Sequence, residues 1–118
     1  MNNNCTALIL RIFISSTDRY KDRLLYEHIV FKAKEYGLSG ATVLKGIFGF
    51  GASSIIHSYK FWEVTEKLPI VIEIIDNKEN ILSFYASIKF DLETMTYGCL
   101  VTIDETKVLL YKSGQKHP

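Results

Sequence analysis

Two short aliphatic runs, "ALILRIFI" from Ala7 to Ile14 and "LPIVIEIID" from Leu68 to Asp76, set the tightest limit on what this chain can become. Each is too short to persist as an isolated helix and is bounded by polar or turn-forming residues, so each reads as a strand at the centre of a sheet. Period-two alternation puts Leu8, Leu10, Ile12 and Ile14 on one face of the first strand and Ile70, Ile72 and Ile74 on one face of the other. The opposite face carries Ile9, Phe13, Val71 and Ile75, with Arg11 and Glu73 among them. A sheet face turned to water would be dominated by polar side chains, so this second face is also expected to be covered.

Helices account for the cover on one side only. From about Asp22 to Tyr36, the apolar residues Leu25, Ile29, Ala33 and Tyr36 recur at helical spacing, and Gly37 supplies a left-handed stop. Asp76 and Glu79 form a capping-box pattern that starts a second helix, whose apolar face is Ile81, Tyr85, Ile88 and Leu92. "SGATVLKGIFGFG" reads as a strand ending near Gly51, and the residues from 52 to 67, "ASSIIHSYKFWEVTEK", as a long flexible loop without clean periodicity. "GCLVTIDETKVLLYK" reads as two short strand-like pieces around the polar "DET", followed by a frayed tail.

The order strand, helix, strand, strand, helix, strand predicts an α+β, ferredoxin-like βαββαβ sandwich with an antiparallel sheet. The first and third strands are expected to lie side by side and parallel. Arg11 and Glu73 then either pair inside an interface or both reach water at its rim. Because two helices cover one face, an identical subunit is the simplest cover for the other.

The 118 residues fit one domain, with a core from about residue 6 to residue 112. Fourteen basic residues against thirteen acidic ones, with no basic cluster, argue against a nucleic-acid partner. No apolar run approaches the roughly 20 residues that cross a bilayer, and the first residues lack a basic leader, so a cytoplasmic location without membrane insertion is expected. Cys5 and Cys99 have no metal-ligand spacing and are expected to be ordinary thiols, with no metal site.

The stretch "YGLSGATVLKGIFGFGASSIIHS" resembles the PII signal-transduction proteins, with the match carried by Gly40, Thr42, Val43, Gly49, Phe50 and Gly51. "LPIVIEIID" resembles the third PII strand, and "KVLLYKSG" its basic C-terminal strand. The chain is most similar to the uncharacterised PII-like family of short bacterial and archaeal proteins, over nearly its whole length. That resemblance implies a homotrimer that binds an adenine nucleotide (ATP, ADP, AMP or a cyclic nucleotide) as effector between subunits. It also implies a mobile loop over residues 52–67 that acts on a target protein, with a membrane transporter or channel among the candidates. Where PII proteins cradle phosphates with a G-D-G-K turn, this chain has only "TYGCLV", so a ligand with fewer phosphates or weaker affinity is expected.

The ligand-binding residues expected on this reading are Thr42, Lys45, Gly46, Gly49, Gly51 and Lys112. Gly46, Gly49 and Gly51 either present backbone N–H groups to an anion or serve only to bend the strand. Lys45 and Lys112 are the counter-charges. In the loop, His57, Tyr59, Phe61 and Trp62 are the candidate partner contacts, although the aromatics would equally serve as local anchors folded onto the body. A ligand-free adaptor that docks a partner through the loop is the alternative function.

Catalysis finds little support. His28, His57 and His117 have no carboxylate or nucleophile at triad spacing, so no catalytic residue is assigned and no enzyme is expected. Arg19 in "SSTDRYKD" keeps a phosphatase reading open, but no glycine-rich cradle accompanies it.

Overall fold

The computed structural model describes residues 1–52 and 67–115. Strands β1 (Cys5–Ser15), β4 (Thr42–Lys45), β5 (Pro69–Asp76) and β6 (Leu100–Val108) form one sheet in the order β4-β5-β1-β6. Helix α1 (Leu25–Tyr36) links β1 towards β4, and α2 (Lys78–Thr94) links β5 to β6. A two-residue pair, β2 (Arg19–Tyr20) and β3 (Arg23–Leu24), forms a small hairpin before α1. This is the expected ferredoxin-like α+β arrangement.

All neighbouring strands are antiparallel, including β1 and β5, so the expected parallel pairing of these two is corrected. The reason is topological. Crossover through α1 makes β4 run in the direction of β1, and β5 inserts between them as the antiparallel neighbour of both. Arg11 therefore lies directly opposite Glu73, on the same side of the sheet.

The core is the face to which the alternation points. Leu10, Ile12, Ile72 and Ile74 are fully buried, with Leu8, Ile14 and Ile70 beside them, under Leu25, Ile29 and Ala33 of α1 and Ile81, Ile88 and Leu92 of α2. Phe84 is also fully buried, whereas Tyr85, which helical spacing favours, is only partly so. Tyr36 remains exposed on α1, its ring edge-on to Phe84 and its hydroxyl hydrogen-bonded to Ser83.

Element ends depart from expectation for identifiable reasons. Helix α1 starts at Leu25 rather than Asp22, because the preceding residues pair in the hairpin and the Leu25 amide donates to Asp18 O (2.8 Å). The N-cap of α2 is Asn77, whose side chain accepts from the Asn80 amide at 2.8 Å, so the cap falls one residue after the expected Asp76. Asp76 instead accepts from the amides of Ser39 (2.8 Å) and Asn77 (2.7 Å) and from Asn80 Nδ2 (3.0 Å).

Strand β4 stops at Lys45, well before Gly51. The Gly46 amide reaches Pro69 O (2.7 Å), but Pro69 has no N–H to return, so the ladder cannot continue. Strand β6 is continuous through "DET" rather than two pieces. Its backbone pairs with Ala7, Leu8 and Ile9, while Asp104 and Glu105 sit on an edge strand where water solvates them. Gly37 has φ 85° and ends α1 as expected.

Candidate functional site

Beyond the core face, the sheet presents the second face anticipated above. Register aligns Leu44, Val71, Phe13 and Leu100 in one row and Thr42, Glu73, Arg11 and Thr102 in the next, followed by Ile75, Ile9 and Asp104. Leu44 and Leu100 are exposed, and the central residues of the face are half-buried. Arg11 bridges two acids: Nε donates to Glu73 Oε2 at 2.9 Å and Nη1 to Asp104 Oδ2 at 3.0 Å. The pair is thus made within one chain, across an antiparallel register, and needs no interface to form.

Residues at the loop end of β4 fall into two groups. Thr42 is opposite Glu73 and so belongs to this outer face, whereas Lys45 is opposite Ile70 and belongs to the helix-side face. A single chain therefore does not bring Thr42 and Lys45 to one surface. Gly46 is required by packing, since a Cβ there would lie 2.7 Å from Pro69 Cγ. Gly49 has φ 150°, a conformation that disfavours any side chain. These two glycines answer to backbone geometry before any ligand is considered. Gly51 lies at the edge of the described part of this segment, and His57, Tyr59, Phe61 and Trp62, like most of the expected 52–67 loop, lie outside the described residues. Between Gly46 and Gly51, Ile47 is 93% exposed, Phe48 73% and Phe50 68%.

Lys112 lies past the end of β6, where the Tyr111 amide donates to Asn3 Oδ1 (2.7 Å). That is the end of the sheet at which β1 begins, while Lys45 is at the end where β1 finishes. The strand between them spans roughly 30 Å at about 3.3 Å per residue, so Lys112 meets the glycine segment only from another copy of the chain.

A cleft of about 420 Å³ opens on the helix side, beside Lys45. Ser16 and Thr17 follow β1 into it, Arg19 and Leu24 come from the hairpin, Tyr26 from the first turn of α1, and Ile70 from β5. Sequence reasoning places only Arg19 and Lys45 among candidates, and for separate reasons. It does not single out Ser16, Thr17 or Tyr26, because no spacing links them until the sheet folds.

His28 sits on α1 with its ring stacked on Tyr20, centroids 3.8 Å apart. Burial, with Lys32 next in effect, lowers its pKa and keeps the ring neutral, which suits a wall that holds the hairpin against the helix.

A family profile described as DUF190 (Uncharacterized ACR, COG1993) matches residues 7–108. The chain belongs to the DUF190 family. A relative of this DUF190 chain, a UPF0166 protein of Aquifex aeolicus (strain VF5), is 35% identical over 101 residues, covering 86% of this chain and 91% of that one. Among solved structures, a Thermus thermophilus protein described as PII-like superposes with a TM-score of 0.61 at 19% identity, covering 88% of the DUF190 chain and 90% of its own. CPII of Thiomonas intermedia K12, solved with ADP, AMP and acetate, gives 0.60 at 14% identity, covering 87% and 88%. The DUF190 chain thus has the PII-like ferredoxin-like fold. No helix among its described residues is long and apolar enough to cross a membrane.

Proposed function

We propose that this chain is a non-enzymatic PII-like regulatory protein, one domain with a core of about residues 6–112, that works as a homotrimer. It binds a small anionic effector, an adenine nucleotide, at the boundary between subunits and acts on a target protein through the segment 52–67. The observation that carries this reading is the outer sheet face, whose apolar row Leu44, Val71, Phe13 and Leu100, exposed at both ends, lies near the glycine segment after β4 and on the side away from both helices. A neighbouring copy on that face would shield Leu44, Phe13, Val71 and Leu100 from water and bring its own Lys112 towards the glycine segment. The adenine nucleotides bound by CPII support the choice of effector.

Two measurements test it. Sedimentation at micromolar concentration should give about three times the 13.5 kDa chain mass; a monodisperse monomer removes the shared site. Calorimetric titration with ATP, ADP, AMP and cyclic AMP should show binding to at least one, weakened roughly tenfold by Lys112→Ala if the contact is charge-assisted. The three exposed side chains Ile47, Phe48 and Phe50 favour the second reading, a ligand-free adaptor, since large apolar groups at a loop root serve as docking anchors. Absence of heat with every nucleotide at millimolar concentration would select it.

A further inference from the structure

We propose that the helix-side cleft is a second, intrachain site for a small phosphomonoester, separate from the subunit boundary and independent of the nucleotide reading. Its chemistry is that of an oxyanion site joined to an apolar wall. Arg19 and Lys45 approach it from different elements, the hairpin and the end of the edge strand. Among the described residues, no carboxylate lies within ion-pair distance of either cation.

Of the acids nearby in sequence, Asp22 makes no ion pair with Arg19, and Asp18 is turned into the body, where its carboxylate accepts from the Ser15 amide at 3.0 Å and is almost fully buried. Asp18 does not line the cleft. Arg19 is held in place because its Nη2 donates to Asp22 O across the hairpin at 2.9 Å. That leaves a guanidinium oriented in advance, which lowers the entropy lost when an anion is bound.

Ser16 and Thr17, just after β1, line the same cleft and carry hydroxyls suited to a phosphate. The Ser16 hydroxyl oxygen accepts from the Leu68 amide at 3.0 Å. Leu24, Tyr26 and the almost fully buried Ile70 complete the lining, which holds no further cation to meet a second phosphate. The volume, about 420 Å³, falls in the range of small-molecule sites, commonly about 300 to 1,000 Å³. Two cations, two hydroxyls and an apolar wall in one cleft therefore point to a single phosphate carried on a small organic group.

Inorganic phosphate and phenyl phosphate are the probes, titrated into the ¹⁵N-labelled full chain and followed by amide shifts. Both should move Thr17, Arg19 and Lys45 amides, and phenyl phosphate should bind more tightly and also move Tyr26. Arg19→Gln should weaken phenyl phosphate binding about tenfold or more, the loss of a charge-assisted contact, and Arg19→Lys should restore part of it. Lys112→Ala should leave this binding unchanged, because Lys112 belongs to the other end of the sheet.

Saturation that is unaffected by Arg19→Gln, or equal affinity for the two probes, overturns the proposal. So does a loss caused by Lys112→Ala, which would assign the phosphate to the subunit boundary instead. Arg19→Gln should not alter nucleotide binding, so failure here and failure of the nucleotide reading are told apart.

Discussion

Asp76→Ala should destabilise the fold by about 3 to 5 kcal/mol, because it removes hydrogen bonds to a carboxylate that are each worth roughly 1.5 to 3 kcal/mol and strands their donors. Asp76 is only 3% exposed and ties three places together: Ser39 in the connection from α1 to β4, the first amide after β5, and Asn80 in the first turn of α2. Ser39 Oγ also donates to Ile75 O, so loss of Asp76 loosens a connection held at two points. Urea unfolding of both proteins at one fixed chain concentration measures the effect. A change below about 1 kcal/mol would mean that water replaces the lost acceptor and that the contacts are not structural.

The same residue shapes the acid limb of stability. Burial, the largest single influence, would raise its pKa, but the three hydrogen bonds and the N-terminal positive charge together outweigh it and leave it lowered. A lowered carboxylate contributes stability that is fully present above the unfolded value, about pH 4, and is lost as pH falls through the folded value. Asp76→Asn should therefore flatten the pH dependence of unfolding below about pH 4.

Phe84→Ala should cost about 3 to 5 kcal/mol, the usual penalty for emptying a buried aromatic site. Phe84 has no exposed surface, lies in the core between α2 and the sheet, and meets the Tyr36 ring edge-on with centroids 5.6 Å apart. The thermal midpoint should fall by roughly 10 °C or more for a domain of this size. Phe90→Ala on the same helix is the control. Phe90 is 73% exposed, so the midpoint should hardly move unless another chain covers that surface. Equal losses for the two variants would show that burial in the isolated chain does not describe the working protein.

Local patterns in the chain are enough to read the two central strands, both helices and most of the face each turns to the core, although Tyr36 stays exposed and Phe84 rather than Tyr85 is fully buried. The aliphatic alternation of Leu8 to Ile14 and of Ile70 to Ile74 leaves one register that buries them, and Gly37 ends α1 as only an unsubstituted residue readily can. Boundaries were less legible, because they depend on partners distant in sequence. Lys45 ends β4 since Pro69, far along the chain, offers no N–H. The direction of β5 against β1 is not legible in either strand for the same reason: strand polarity follows from how the crossovers interleave, not from the residues of either strand.

By itself, then, the sequence determined an α+β ferredoxin-like arrangement with one buried face and one outer face that keeps large apolar side chains around Arg11 and Glu73, because side-chain periodicity and turn residues act over a few positions. Only the tertiary structure decided that Arg11 is clamped between Glu73 and Asp104, that Thr42 and Lys45 turn to opposite faces, and that Arg19 joins Lys45 in one cleft. Those outcomes depend on register across strands and on loops meeting at one end of the sheet. Distances there are set by backbone pairing between segments far apart in the chain, which local spacing does not encode.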